Sequence, residues 1–148
     1  MSPEEPENNN PASIVKAMYD GDRFSKLLGI NVESVSEGAC VLSMKIREDM
    51  ANGFGIVHGG VTFAFGDSAL AFASNSYGRL SVALEASISY PAPVNIGDTL
   101  TAVARELSRT RRIAVYDITI TNQDKNVVGL FKGTVYRTSK PAPGSSGS

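Results

Sequence analysis

The chain has 148 residues, a formal net charge of −1, 42% apolar residues and 20% charged residues. That is one domain's length, able to bury a core unaided, with no basic field to draw nucleic acid or an anionic membrane. Cys40 and His58 are the only cysteine and histidine, so an intramolecular disulfide and a structural zinc site are excluded, and the lone thiol fits a reducing cytoplasm.

Residues 1–12, which open MSPEEPENNNP, are acidic, polar and Pro-bearing. They read as a disordered segment, neither a signal nor a transit peptide. Residues 139–148, SKPAPGSSGS, have the composition of a flexible tail or an expression scar. The domain is therefore expected over 13–138. Its longest apolar stretch is interrupted by Gly66-Asp67-Ser68 and is too short to span a bilayer.

Ser13 reads as the N-cap of a first helix reaching Leu28, with a break near Gly21 and a stop at Gly29. Ile14, Val15, Met18, Phe24, Leu27 and Leu28 give it an apolar stripe. Two strands follow, over 30–35 and 39–46. In the second, Cys40, Leu42, Met44 and Ile46 alternate with Ser43 and Lys45. Residues 49–58 are loop-like. Residues 59–77 then contain no proline and are dense in Ala, Phe and Leu, a helix of about 28 Å if regular. Apolar nearly all round, it is expected to be covered on most sides. Four more strands are expected over about 81–91, 98–108, 111–122 and 126–137, joined by short links that suit antiparallel neighbours. In the last, Val128, Leu130, Lys132, Thr134 and Tyr136 share a face. One long helix among six strands is an α+β architecture in which a curved antiparallel sheet wraps the helix.

Asp67 is the sharpest anomaly, a carboxylate inside an apolar helix. Such a position costs stability unless the group is paired, and tolerated costs of this kind mark active sites; the plainer reading is a side chain facing a wet gap or capping a break at Gly66. His58-Gly59-Gly60 lies where loop becomes helix. First-turn N–H groups are unpaired donors, and glycines admit a carbonyl closely, so an oxyanion hole is possible. A tight turn with a capping histidine explains the same residues. Asn52 and His58 are candidates to orient the carbonyl or a water. Gly60 and Asp67 stand seven residues apart, about 10.5 Å along a helix. They cannot both reach one carbonyl from one chain. Two such helices packed antiparallel about a two-fold axis would bring them together in a homodimer with two identical sites.

The stretch NGFGIVHGGVTFAFGDSALAFASNSYG, with IGDTLTAVA and VYDITITNQDKNVVGLFKGTVYR downstream, resembles the signature of PaaI-type hotdog-fold acyl-CoA thioesterases, the phenylacetic acid degradation group. Asn52, Gly53, His58, Gly59, Gly60 and Asp67 carry the match, which covers about residues 13–138. The resemblance implies a hotdog fold, dimerised and often paired again into a homotetramer. It implies hydrolysis of acyl-CoA, with phenylacetyl-type, hydroxyphenylacetyl-type or medium-chain acyl groups as substrates. Asp67 would be nucleophile or general base, Gly59 or Gly60 N–H would polarise the thioester carbonyl, and Asn52 and His58 would support them. Ser68, next to Asp67, would help position a water. Some relatives use a serine on the strand after the long helix; the corresponding place here is Ala83 or a neighbour, so that role is not carried over.

A carboxylate and an oxyanion donor suffice for a thioester, whose thiolate leaves readily. No metal or other cofactor is expected. Arg109, Arg111 and Arg112 cluster at a turn, with Lys132 and Arg137 on the last strand, and would either anchor CoA phosphates or form a solvated hairpin tip. Phe54, Phe63 and Tyr77 are candidates for an acyl pocket. The competing readings are another hotdog acyl-CoA enzyme, a hydratase or dehydratase, and a non-catalytic acyl-CoA-binding module. The His-Gly-Gly…Asp spacing favours the thioesterase over the first, and an otherwise costly Asp67 favours it over the second.

Overall fold

A computed structural model describes residues 10–145. The expected segments 1–12 and 139–148 lie partly outside that range.

The first helix forms as two. In α1 (Pro11–Asp20) the cap is Asn10, whose side chain accepts the Ala12 N–H at 2.8 Å, and Pro11 takes the first helical position. Ser13 therefore lies inside the helix rather than capping it, and the helix begins two residues earlier, at Pro11. At Gly21 the chain turns. Asp22 caps α2 (Arg23–Leu28) by accepting the Ser25 N–H at 2.9 Å, and Gly29 ends it in the left-handed region at φ 76°. The expected single apolar stripe divides here: Ile14, Val15 and Leu28 are buried, whereas Phe24 and Leu27 are 57% and 66% exposed.

Next come β1 (Asn31–Ser36), β2 (Ala39–Lys45), a 3₁₀ turn at Glu48–Met50 and α3 (Gly59–Asn75). Then follow β3 (Arg79–Ser89), β4 (Thr99–Arg109), β5 (Ile113–Thr121) and β6 (Val127–Pro141). The strands form one antiparallel sheet in the order β1-β2-β4-β5-β6-β3, and α3 touches all six. This is the expected helix in a curved sheet. Leu42, Met44, Leu100, Ile118, Ile120, Phe131 and Val135 from the sheet meet Phe65, Leu70 and Phe72 from α3 in the core.

Alternation names the faces correctly in β2, where Cys40, Leu42 and Met44 point inward. In β6 it does not. The face of Leu130, Lys132, Thr134 and Tyr136 is the outer one, and Phe131, Gly133 and Val135 face the helix. A register shift beside Thr121 and Val127 resets the pleat, leaving Val128 buried with the inner set. The strand also passes residue 138. Ala142 is buried, and its N–H donates to Gly78 O at 3.0 Å.

Two glycines let α3 lie hard against β6. A Cβ at Gly66 would come within 2.6 Å of the Phe131 ring, and one at Gly133 within 2.5 Å of Leu70 Cδ2. Gly66 is the residue before Asp67, so this contact fixes the height and rotation of Asp67. Among the described residues no helix is long and apolar enough to cross a membrane.

Candidate active site

The loop before α3 is held by its own backbone and by Asn52. The Asn52 Oδ1 accepts the N–H groups of Phe54 and Ile56 at 2.9 and 3.1 Å, which closes the tip on itself. Phe54 projects from that tip, 88% exposed in the single chain. The loop returns through His58, whose N–H donates to Met50 O at 2.9 Å.

His58 is the N-cap of α3. Its Nδ1 accepts the Gly60 N–H at 2.9 Å, and the Val61 N–H bonds His58 O at 2.9 Å. Of the first three helical amides, the Gly59 N–H is thus the one that neither capping bond occupies. Because Nδ1 is an acceptor, the neutral imidazole carries its proton on Nε2. The turn therefore offers two donors, Gly59 N–H and His58 Nε2–H, while the Gly60 N–H is already taken. Tyr90, at the end of β3, steadies the turn: its hydroxyl donates to Gly59 O at 2.9 Å. A side chain at Gly59 would meet that Tyr90 hydroxyl at 3.2 Å. The contact spans 31 positions, beyond the reach of any local pattern.

Asp67 lies on the side of α3 that the sheet leaves open. Gly60, Ala64, Asp67 and Ala71 recur at helical spacing, and none of them is buried, so the helix has one uncovered face of small residues and an acid. The expectation of cover on most sides holds except along this line. The Asp67 side chain is exposed as a whole in the single chain. It nevertheless borders a groove of about 210 Å³ with Ser74, Ser81, Val82 and Ala83. Those walls strip part of its hydration, and this, with a smaller push from the Asp22 charge, raises its carboxyl above the usual range.

Asp22 and Ser25 escaped the sequence reading, although a Gly-Asp pair before a short apolar run is a capping signal. The Ser25 hydroxyl donates to Asp22 at 2.6 Å and meets the Ser68 hydroxyl at 2.8 Å. With Ser25 donating onward, Ser68 is the donor between the two. Ser68 is thereby buried and turned toward α2, away from the open face that carries Asp67.

The arginines gather at the β4–β5 turn, and Lys132 stands apart from them. Arg109 donates to Glu106 at 3.3 Å and lies 4.2 Å over the Tyr77 ring. Tyr77 and Tyr116 both donate to the same Glu106, which ties Tyr77 into this network. Arg79 and Arg137 donate to backbone carbonyls of the β4–β5 turn, and Arg112 returns a bond to Arg137 O. Arg111 is exposed. Lys132 is five residues before Arg137 on β6, about 17 Å along the strand, and stands on the outer face opposite Asp117 and Ser87. Phe63 packs edge-on against Phe131 at 5.1 Å. Among the described residues no three of His, Cys, Asp and Glu converge as a metal site would require.

Within one chain, then, the donors at Gly59 and His58 and the carboxylate at Asp67 stand about two helical turns apart along α3.

The family model of the thioesterase superfamily matches residues 54–128. The acyl-coenzyme A thioesterase PaaI of Escherichia coli is 41% identical over 121 residues, covering 82% of this chain and 86% of that protein. The structure of the E. coli PaaI protein from the phenylacetic acid degradation operon superposes with a TM-score of 0.86 at 38% identity, covering 88% of this chain and 95% of that one. A Streptococcus mutans protein bound to acetyl CoA superposes with a TM-score of 0.72 at 31% identity, covering 75% of this chain and 90% of that one.

Proposed function

Since this chain belongs to the thioesterase superfamily, as a hotdog-fold thioester hydrolase of the PaaI type, we propose that it hydrolyses aryl-acyl or medium-chain acyl-CoA at sites shared between two subunits. The observation that carries the reading is the placement of Gly60 and Asp67 on one uncovered face of α3, two turns apart. Two copies of that face, antiparallel about a two-fold axis near Ala64, bring Asp67 of each chain to the first helical turn of the other. Small residues along the line permit close approach of the helices.

The sheet supports the same axis. Among the described residues β3 pairs only with β6, so its other edge has unpaired backbone groups there, and Val82 and Leu84 on it are 45% and 59% exposed. An 11-residue edge strand bearing apolar side chains invites a second strand. Joined edge to edge through β3, two sheets would set both α3 helices side by side. A further pairing of dimers gives the homotetramer.

The chemistry follows from the groups at hand. The thioester carbonyl oxygen takes the Gly59 N–H and the His58 Nε2–H, which stabilise the negative charge that develops on it. The Asp67 carboxylate either attacks the carbonyl carbon, forming an anhydride that water then opens, or removes a proton from the attacking water. By both routes the C–S bond breaks, CoA leaves as its thiolate and is protonated, and water supplies the oxygen of the free acid. Partial desolvation makes Asp67 a stronger base than an open carboxylate. Asn52 shapes the loop that delivers His58, and Ser68 holds the helix on which Asp67 stands. Arg109, Arg111 and Arg112 are the proposed anchor for the CoA phosphates, with Lys132 a separate contact on the outer face. A cytoplasmic location fits the substrate.

A thiol-release assay over acetyl-, octanoyl-, phenylacetyl- and hydroxyphenylacetyl-CoA tests the proposal. Turnover of the larger acyl groups by an oligomer supports it. Tight binding without turnover of any of the four would favour a binding module instead, and equal activity in an isolated monomer would contradict the shared site.

A further inference from the structure

The short helix α2 leaves two large apolar side chains in the open, Phe24 at 57% and Leu27 at 66% exposed. They are one turn apart and flank a groove of about 390 Å³. Its other walls include Met50, Val61, His58 and Gly60. Arg47 and Asp49 sit at its polar side, paired at 3.0 Å. An apolar trough of this kind is the ordinary form of a small-molecule site, with few polar groups at one end.

Its position gives it an occupant. The carbonyl of a bound thioester is held at the first turn of α3, and the acyl chain begins at that carbon. Whatever is bonded to it must lie within a few ångströms of His58 and Gly60, and both of these residues line this apolar groove.

We infer that Phe24 and Leu27 form the wall of the acyl-binding groove and determine specificity, selecting an apolar acyl body over acetyl. The inference rests on the thioesterase reading for the occupant and names its size-selecting residues. Neither side chain is needed by the core, so both can be truncated without opening a cavity.

The test is binding by the intact oligomer of CoA and of the non-hydrolysable thioether S-octyl-CoA, for wild type, Phe24→Ala, Leu27→Ala and the filling variant Leu27→Trp. Wild type should bind S-octyl-CoA more tightly than CoA. Each alanine variant should lose about tenfold of that preference, and Leu27→Trp should lose most of it by occupying the groove. In kinetics, the ratio of octanoyl-CoA to acetyl-CoA kcat/KM should fall in parallel. An unchanged preference in all three variants overturns the inference. So does a change of oligomeric state on size-exclusion chromatography, which would assign the patch to a subunit contact. Loss of the octyl preference without turnover of any acyl-CoA by wild type would leave the groove standing and remove the hydrolase reading.

Discussion

The Nδ1 of His58 accepts the N–H of Gly60 at 2.9 Å. This bond closes the first turn of α3, fixes the imidazole tautomer and selects which amide remains for substrate. In the proposed reaction the donor pair is therefore Gly59 N–H with His58 Nε2–H, and the Gly60 N–H is the one that caps against the histidine.

His58→Ala removes a cap and a donor together. The expected result is a fall in kcat of about 10²–10³, the usual cost of one oxyanion donor, with a loss of about 1 kcal/mol in stability. His58→Asn keeps an acceptor at the cap position and should recover the stability without the full activity. Steady-state kinetics beside thermal melts separate the two effects.

Gly66→Ala sets two terms against each other. Alanine is favoured in a helix by about 1 kcal/mol. The new methyl, however, would approach the Phe131 Cδ2 and Cγ within 2.6 and 2.8 Å, and such overpacking costs about 1–3 kcal/mol. The ring is pinned between helix and sheet, so the clash should win, lowering Tm by about 2–4 °C. Because Asp67 is the next residue, activity should fall further than Tm alone would account for. A Tm at or above wild type would show that the helix can lift without cost.

Asp67 has a carboxyl raised by lost hydration first and by Asp22 second. A raised carboxyl binds its proton more tightly in the folded state than in the unfolded one. Its ionisation therefore lowers stability as pH climbs from the ordinary aspartate range through the folded value. Asp67→Asn should melt higher than wild type at neutral pH, and the gain should vanish below the ordinary aspartate range. A gain that persists undiminished at acid pH would place its origin elsewhere.

Cys40 is buried, its thiol donates to Ala69 O at 3.4 Å, and burial pushes its pKa up to about 12. Native protein should react with Ellman's reagent only on unfolding. Rapid labelling of the folded protein would contradict this placement.

Element order and fold could be read from the sequence because periodicity records which residues meet the core. The alternation in β2 and the proline-free stretch of α3 are examples. Periodicity fails where a helix is apolar all round: nothing in α3 marks the line through Gly60, Ala64 and Asp67 as uncovered, because small residues suit both a packed face and a face awaiting a partner. It also fails at β6, where one extra residue swaps the faces. Asp67, His58 and the glycine pair stood out as residue types out of place. Tyr90 and the Ser25–Ser68 pair did not, since each acts through a contact that only the folded chain brings about, whereas the Asp22 cap is a local signal hidden by reading one continuous helix. Phe24 and Leu27 read as core on a continuous helix, and the break at Gly21-Asp22 turns them outward.

The most direct test of the shared site is subunit complementation. Asp67→Ala and His58→Ala are each expected to be nearly inactive as pure proteins. In a mixed dimer, one site takes both intact residues, Asp67 from the His58→Ala chain and His58 from the Asp67→Ala chain. Denaturing, mixing and refolding the two in equal amounts should restore about a quarter of wild-type turnover, half the dimers being mixed and each having one good site of two. No recovery in a mixture shown to contain mixed dimers would mean that acid and donors act within one chain.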